Sequence, residues 1–154
     1  MKTDQKVIEH LNKLLYNELI AINQYFLHSH MLKDWGFKKH AEHEEEEHRE
    51  EIEHASLLME RILFLEGMPD LQKLGPLCIG KNLRDILECD LKLEYQGIPA
   101  LREAIYYAEQ VKDYVTRSLL CKIFESEENH VDWLEREIDL YDKLGEQNYL
   151  QSQV

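Results

Sequence analysis

The chain has 154 residues, 44% of them apolar, and a formal net charge of −13. That length suits one domain around one core, and the charge excludes nucleic acid as a partner, because binding phosphates needs Lys and Arg clusters that are missing here. A field of this sign draws cations.

Only three prolines and six glycines interrupt the chain, which favours an all-helical fold with long helices. Val7, Leu11, Leu14, Leu15, Ile22, Tyr25 and Phe26 recur at helical spacing and predict a first helix over about 4–35, stopped near Gly36. A second is predicted over about 38–66, with Ala55, Leu58, Ile62 and Leu65 on its inward stripe and Gly67-Met68-Pro69 closing it. Residues 68–81, MPDLQKLGPLCIGK, are too rich in Pro and Gly for a helix. A third helix is predicted over about 82–110, with a kink or break at Pro99. A fourth follows over about 114–144 behind the N-cap Asp113, and a short one over about 146–152 needs packing to be stable. Short links make the first and last long pairs antiparallel hairpins. The 14-residue link between them reaches about 46 Å at full extension, enough to run the length of a helix of about 42 Å. The expected architecture is a ferritin-like four-helix bundle with one long crossover, forming a single domain over 1–154.

Cys78, Cys89 and Cys121 are odd in number and have no CxxC spacing, so the expectation is free thiols in a reducing compartment. The N-terminus lacks an apolar signal core and no window suggests a membrane span. A cytoplasmic protein is expected.

Residues 44–55, EEEEHREEIEHA, crowd charge into the second helix. Runs of this kind usually form a solvated face, and Glu44, Glu46, Glu47 and Glu50 are first assigned to one. Four other carboxylates sit on apolar stripes: Glu18 among Leu14, Leu15, Ala21 and Ile22; Glu94 beside Leu91 and Ile98; Glu127 beside Ile123, Phe124 and Val131; and Glu51 before His54, Ala55 and Leu58. A lone buried carboxylate is costly, so something must compensate it. Glu51-Ile52-Glu53-His54 and Glu127-Glu128-Asn129-His130 are both Glu-x-x-His, which puts carboxylate and imidazole one turn apart on one face. With one Glu from each of the other two helices, they form the ligand set of a di-iron carboxylate bundle: Glu18, Glu51, His54, Glu94, Glu127 and His130. All four glutamates lie at mid-height. His10, His28, His30, His40 and His43 are assigned to surface or packing, and Tyr25 and Trp133 to the core.

The chain resembles bacterioferritin along nearly its whole length, through LNKLLYNELIAINQYFLHSHM, ERILFLEGMP, LREAI, ESEENHVDWLEREIDL and GEQNYLQSQ. The resemblance implies a hollow shell of twenty-four subunits, a ferroxidase centre binding two iron ions in each bundle, and ferric mineral inside. It implies the same six ligands, with Glu51 and Glu127 bridging. It implies an altered inner-surface iron site at Glu46 and Glu50, with Glu47 nearby, and pore residues at Asp34, Glu66, Asp132, Asp139, Asn148 and Gln151. The family's haem-ligating Met position is held here by Ile52, whose side chain has no lone pair. Little or no haem is therefore expected in the homo-oligomer, unless a second, Met-bearing subunit co-assembles.

The leading expectation is iron storage with ferrous iron oxidised by oxygen or peroxide. An alternative is a di-iron oxygenase or peroxidase acting on an organic substrate, which needs an apolar cavity beside the metals. A purely structural acidic bundle would need inward Lys or Arg at mid-height, and the stripes offer none.

Overall fold

The computed structural model describes residues 1–154, in five helices and no strands: α1 (Gln5–Asp34), α2 (Lys38–Phe64), α3 (Leu83–Gln110), α4 (Tyr114–Leu144) and α5 (Glu146–Ser152). Three of the long helices begin at side chains that satisfy orphan backbone donors. Asp4 accepts from the Lys6 N–H at 2.9 Å, Asn82 from the Asp85 N–H at 2.9 Å, and Asp113 from the Thr116 N–H at 3.1 Å. Helix α2 stops at Phe64, and Glu66 turns into the left-handed region with φ 63°. None of the helices is long and apolar enough to cross a membrane.

Helices α1 and α2 pack as one hairpin and α3 and α4 as the other, with α1 against α3 and α5 folded on α4. Tyr149 of α5 is buried, its ring centroid 5.0 Å from that of Tyr141. That packing supplies what a seven-residue helix cannot supply alone. Two apolar clusters fill the bundle. One includes Leu11, Leu15, Leu58, Ile62, Leu120 and Ile123, and the other Leu32, Leu83, Ile86, Leu87, Leu134 and Tyr149. Buried polar side chains occupy the space between.

The crossover lies along α1 on a stripe spaced by four residues. Asn12 bonds the Met68 carbonyl at 3.0 Å and the Asp70 N–H at 2.9 Å; the Cys78 N–H donates to Gln24 and the Gly80 N–H to His28, both at 3.1 Å. Between these contacts Gly75 presses against Ile20 and Tyr16, where any Cβ would overlap the Ile20 side chain.

One sequence-based expectation is narrowed and one corrected: of the kink or break expected at Pro99, the break does not occur. Helix α3 runs unbroken through Pro99. Pro99 and Tyr95 are both exposed, so the Tyr95 carbonyl that loses its helical donor lies on the water-facing side of the helix. The three cysteines are not all free. Cys78 in the crossover and Cys89 on α3 form a disulfide with a Cα–Cα distance of 5.4 Å, leaving only Cys121 as a thiol.

Candidate metal centre

Between the apolar clusters, each long helix turns charged side chains inward. Glu18 comes from α1, Glu51 and His54 from α2, Glu94 from α3, and Glu127 and His130 from α4, all at 7% exposure or less. They form two overlapping groups: Glu18, Glu51, His54 and Glu127, and Glu51, Glu94, Glu127 and His130. Nδ1 of His54 lies 3.4 Å from Glu127 Oε1, 3.6 Å from Glu51 Oε2 and 3.8 Å from Glu18 Oε2. Nδ1 of His130 lies 3.3 Å from Glu51 Oε1, 3.4 Å from Glu94 Oε1 and 3.9 Å from Glu127 Oε2. Glu51 and Glu127 thus turn one oxygen toward each group.

The centre is short of hydrogen-bond donors. Glu18 Oε2, Glu51 Oε1, Glu127 Oε1 and His54 Nδ1 are buried with no hydrogen-bond partner. The Tyr25 hydroxyl donates to Glu94 and orients it. Burial and neighbouring carboxylates push the Glu51 and Glu127 carboxyls well above the ordinary range, and burial raises Glu18 in the same direction. Burial works against a charged His54, but the Glu127, Glu18 and Glu51 carboxylates that surround its Nδ1 outweigh it and hold the imidazole up to about 12. His130 is likewise raised by Glu47, Glu50 and Glu94 against the cost of its burial. Without a metal, the cluster holds protons that stand where cations would. A cavity of about 120 Å³ opens onto Glu18, Glu51, Glu94 and Glu127, walled in part by Asn17, Pro76 and Gln96.

The acidic stretch before Glu51 divides. Glu46 is exposed and Glu50 half-buried, but Glu44 and Glu47 turn into the bundle, at 1% and 9% exposure. Their assignment to a solvated face is corrected. The sequence does carry the signal, since Glu44, Glu47 and Glu51 share a helix face at i, i+3 and i+7. Glu47 and Glu50 meet Nε2 of His130, Glu50 at 2.9 Å, on the side away from Glu94. The His130 bond holds the Glu50 carboxyl down at about 2. Glu46 is outside that group, so Glu46, Glu47 and Glu50 are not brought together as one set.

The chain matches the family model described as a ferritin-like domain over residues 8–144. It is 48% identical over 155 residues to the bacterial ferritin of Synechocystis, spanning all of this chain and 99% of that protein. Over 149 residues, 97% of this chain and 92% of each relative, it is 45% identical to the bacterioferritin of Brucella melitensis and 48% identical to that of Rhodobacter capsulatus. The chain belongs to the bacterioferritin family.

As a bacterioferritin the chain has buried polar residues beyond those its sequence singled out. His28, His40 and Asp90 are each at most 1% exposed, and they lie with Glu44 on the Trp133 side of the centre. The His43 ring stacks on Trp133 with centroids 3.4 Å apart. Ile52 is 42% exposed on the outer face of α2, beside but not in the centre. Among the residues the resemblance assigns to pores, Asp34, Glu66, Asp132, Asp139, Asn148 and Gln151 are all exposed; Asp132 pairs with Arg136, and Asp139 with Lys143 at 2.7 Å.

Proposed function

We propose that this chain is an iron-storage subunit that oxidises ferrous iron at the six-residue centre. The observation that carries the reading is the sharing of Glu51 and Glu127 between two ligand groups, which offers two ion positions with one imidazole each. Four carboxylates balance the four positive charges of two ferrous ions, and mixed carboxylate and imidazole donors suit iron in both oxidation states. Each ion that enters displaces protons held by Glu18, Glu51 and Glu127, and the buried oxygens without partners acquire one. Two ferrous ions supply two electrons, which with two protons reduce one dioxygen to hydrogen peroxide, or one peroxide to two waters. Tyr25 keeps Glu94 oriented, and the apolar clusters on either side keep bulk water out. An organic substrate is disfavoured, because about 120 Å³ of partly polar space falls short of the ~300 Å³ at which ligand pockets begin.

Family membership supports assembly into a twenty-four-subunit cytoplasmic shell with ferric mineral inside, and exposed Phe26, Leu27, Leu57, Leu63 and Phe64 provide apolar surface for neighbours. With Ile52 in place of a thioether, the homo-oligomer binds no haem through this position. A shell mixed with a Met-bearing subunit would. The test is stopped-flow oxidation of ferrous iron by the assembled protein: a fast phase of two irons per subunit is expected, lost in Glu18→Ala. Equal fast phases in both proteins would refute the centre.

A further inference from the structure

The two imidazoles of the centre are not held alike. Every carboxylate contact of His54 runs through Nδ1, the nitrogen that faces Glu18, Glu51 and Glu127. His130 uses both of its nitrogens. Its Nδ1 faces Glu51, Glu94 and Glu127, and its Nε2, on the far side of the ring, meets Glu50 Oε2 at 2.9 Å and also Glu47 Oε2. Only the contact to Glu50 has the geometry of a hydrogen bond, whereas Glu47 Oε2 adds its charge beside the same nitrogen.

These two carboxylates are themselves anchored. Ser126, one residue before Glu127 on α4, donates to Glu50 Oε1 at 2.6 Å, and His43 Nε2 lies 3.1 Å from Glu47 Oε1. The His43 ring stacks in turn on Trp133. A chain from His43 through Glu47, His130 and Glu50 to Ser126 therefore crosses between α2 and α4 and is tied to protein at both ends. Glu47, Glu50 and His130 also cluster closely enough to hold an ion themselves. An ion there would take the Nε2 lone pair and leave the ring bridging two metals, while a single N–H satisfies the same atoms.

An imidazole that gives one nitrogen to a metal ion keeps its N–H on the other, and an acceptor placed behind that N–H fixes both the tautomer and the rotation of the ring. We propose that Glu50, with Glu47 beside it, is a positioning residue for the centre: it holds the His130 ring with Nδ1 turned to the ion and Nε2–H turned away, so that one of the two ion positions is braced from behind and the other is not. This role rests on the ion centre proposed above. It continues an asymmetry among the carboxylates, since Tyr25 donates to Glu94 in the His130 group while Glu18 Oε2 in the His54 group has no hydrogen-bond partner.

The test is anomalous diffraction from crystals of the assembled protein soaked in Co²⁺, which resembles Fe²⁺ in donor preference and is not oxidised by air. The comparison is made at a concentration that half-fills the position beside His130 in the wild type. Glu50→Ala should lower the affinity of that position about 10-fold, change the peak beside His54 far less, and free the His130 ring to turn. Glu50→Gln keeps an acceptor for the Nε2–H without the charge, so it should recover part of the lost peak. Ser126→Ala, which only unanchors Glu50, should shift the ratio of the two peaks the same way by less, and it carries the comparison if Glu50→Ala does not assemble. Equal losses at both positions, an unchanged ratio, or a Glu50→Gln protein as poor as Glu50→Ala would overturn the proposal. So would a wild-type peak between Glu47, Glu50 and Nε2 of His130. Wild-type crystals with no peak at the six residues are a different result, which would remove the centre itself and this role with it.

Discussion

The two buried polar layers differ in what holds them together. In the six-residue centre, carboxylates and imidazoles mostly face one another, and Tyr25 is the main outside donor. In the layer around Asp90, neutral donors from Gln24 and His28 hold one carboxylate, and those donors are held by the crossover N–H groups of Cys78 and Gly80. The first layer depends on cations or protons from solution, while much of the second is satisfied from within. Inward charge is therefore of two kinds, one waiting for a ligand and one partly built into the scaffold.

The contrast is broken most directly by removing a ligand from the centre. His54→Ala should slow the fast phase of ferrous oxidation at least ~10³-fold, about 4 kcal/mol in barrier, while size-exclusion mass stays that of the wild type; stopped-flow absorbance reads the rate. Next comes Asp90→Ala, which strands the Gln24 and His28 donors. It should destabilise the metal-free protein by about 3 kcal/mol, seen in denaturant unfolding, and a loss below ~1 kcal/mol would erase the distinction between the layers.

The pH dependence sharpens the comparison further. The carboxyls of Glu18, Glu51 and Glu127 and the imidazoles of His54 and His130 are all raised in the folded protein. A raised group stabilises fully below its unfolded pKa, and that stability is lost as pH rises toward the folded value. For His54 the window runs from 6.5 to about 12. His40, lowered to about 4, adds a rise of stability with pH that is nearly complete by about pH 7.5, and Glu50, lowered to about 2, has no slope in this range. Metal-free stability should therefore fall between pH 7 and 8, by about 1.4 kcal/mol per pH unit for each proton the fold retains. Co²⁺ should flatten or reverse the trend, because bound ions displace those protons. Thermal melts with and without Co²⁺ check this. The smallest effect lies outside both layers: Asp4→Ala removes the α1 cap and the 2.7 Å bond from the Tyr107 hydroxyl, which should lower the thermal midpoint slightly with no change in the oxidation rate.

The layers also differ in how far the sequence discloses them. Helix positions follow from apolar periodicity and Gly and Pro stops, and the N-cap at Asp113 is legible because its side chain acts three residues away. The six residues of the centre are brought together because Glu-x-x-His occurs twice and each lone Glu sits among leucines and isoleucines. The second layer repeats nothing. Gln24, His28, His40, Glu44 and Asp90 are single polar residues on three helices, and in a chain with 31 acidic residues each looks like surface. Only the helix face they share with buried neighbours reveals them. The Cys78 to Cys89 bond was hidden for a related reason, since it depends on where an irregular segment lies across a helix and not on local spacing. At Pro99, the missing hydrogen bond was legible but the exposure of its acceptor was not.

The crossover inverts the usual rule for surface loops. Long connections ordinarily accept extra residues at small entropic cost, and this makes them the first choice for peptide insertion and gene fusion. Here the connection is keyed to every fourth residue of α1 from Asn12 to His28, through hydrogen bonds and the close fit of Gly75, and Pro76 walls the cavity over Glu18. One added residue would slide that register and move the wall. Cargo or affinity tags therefore belong at the termini, and natural variation in this segment is expected to change residue type far more readily than length.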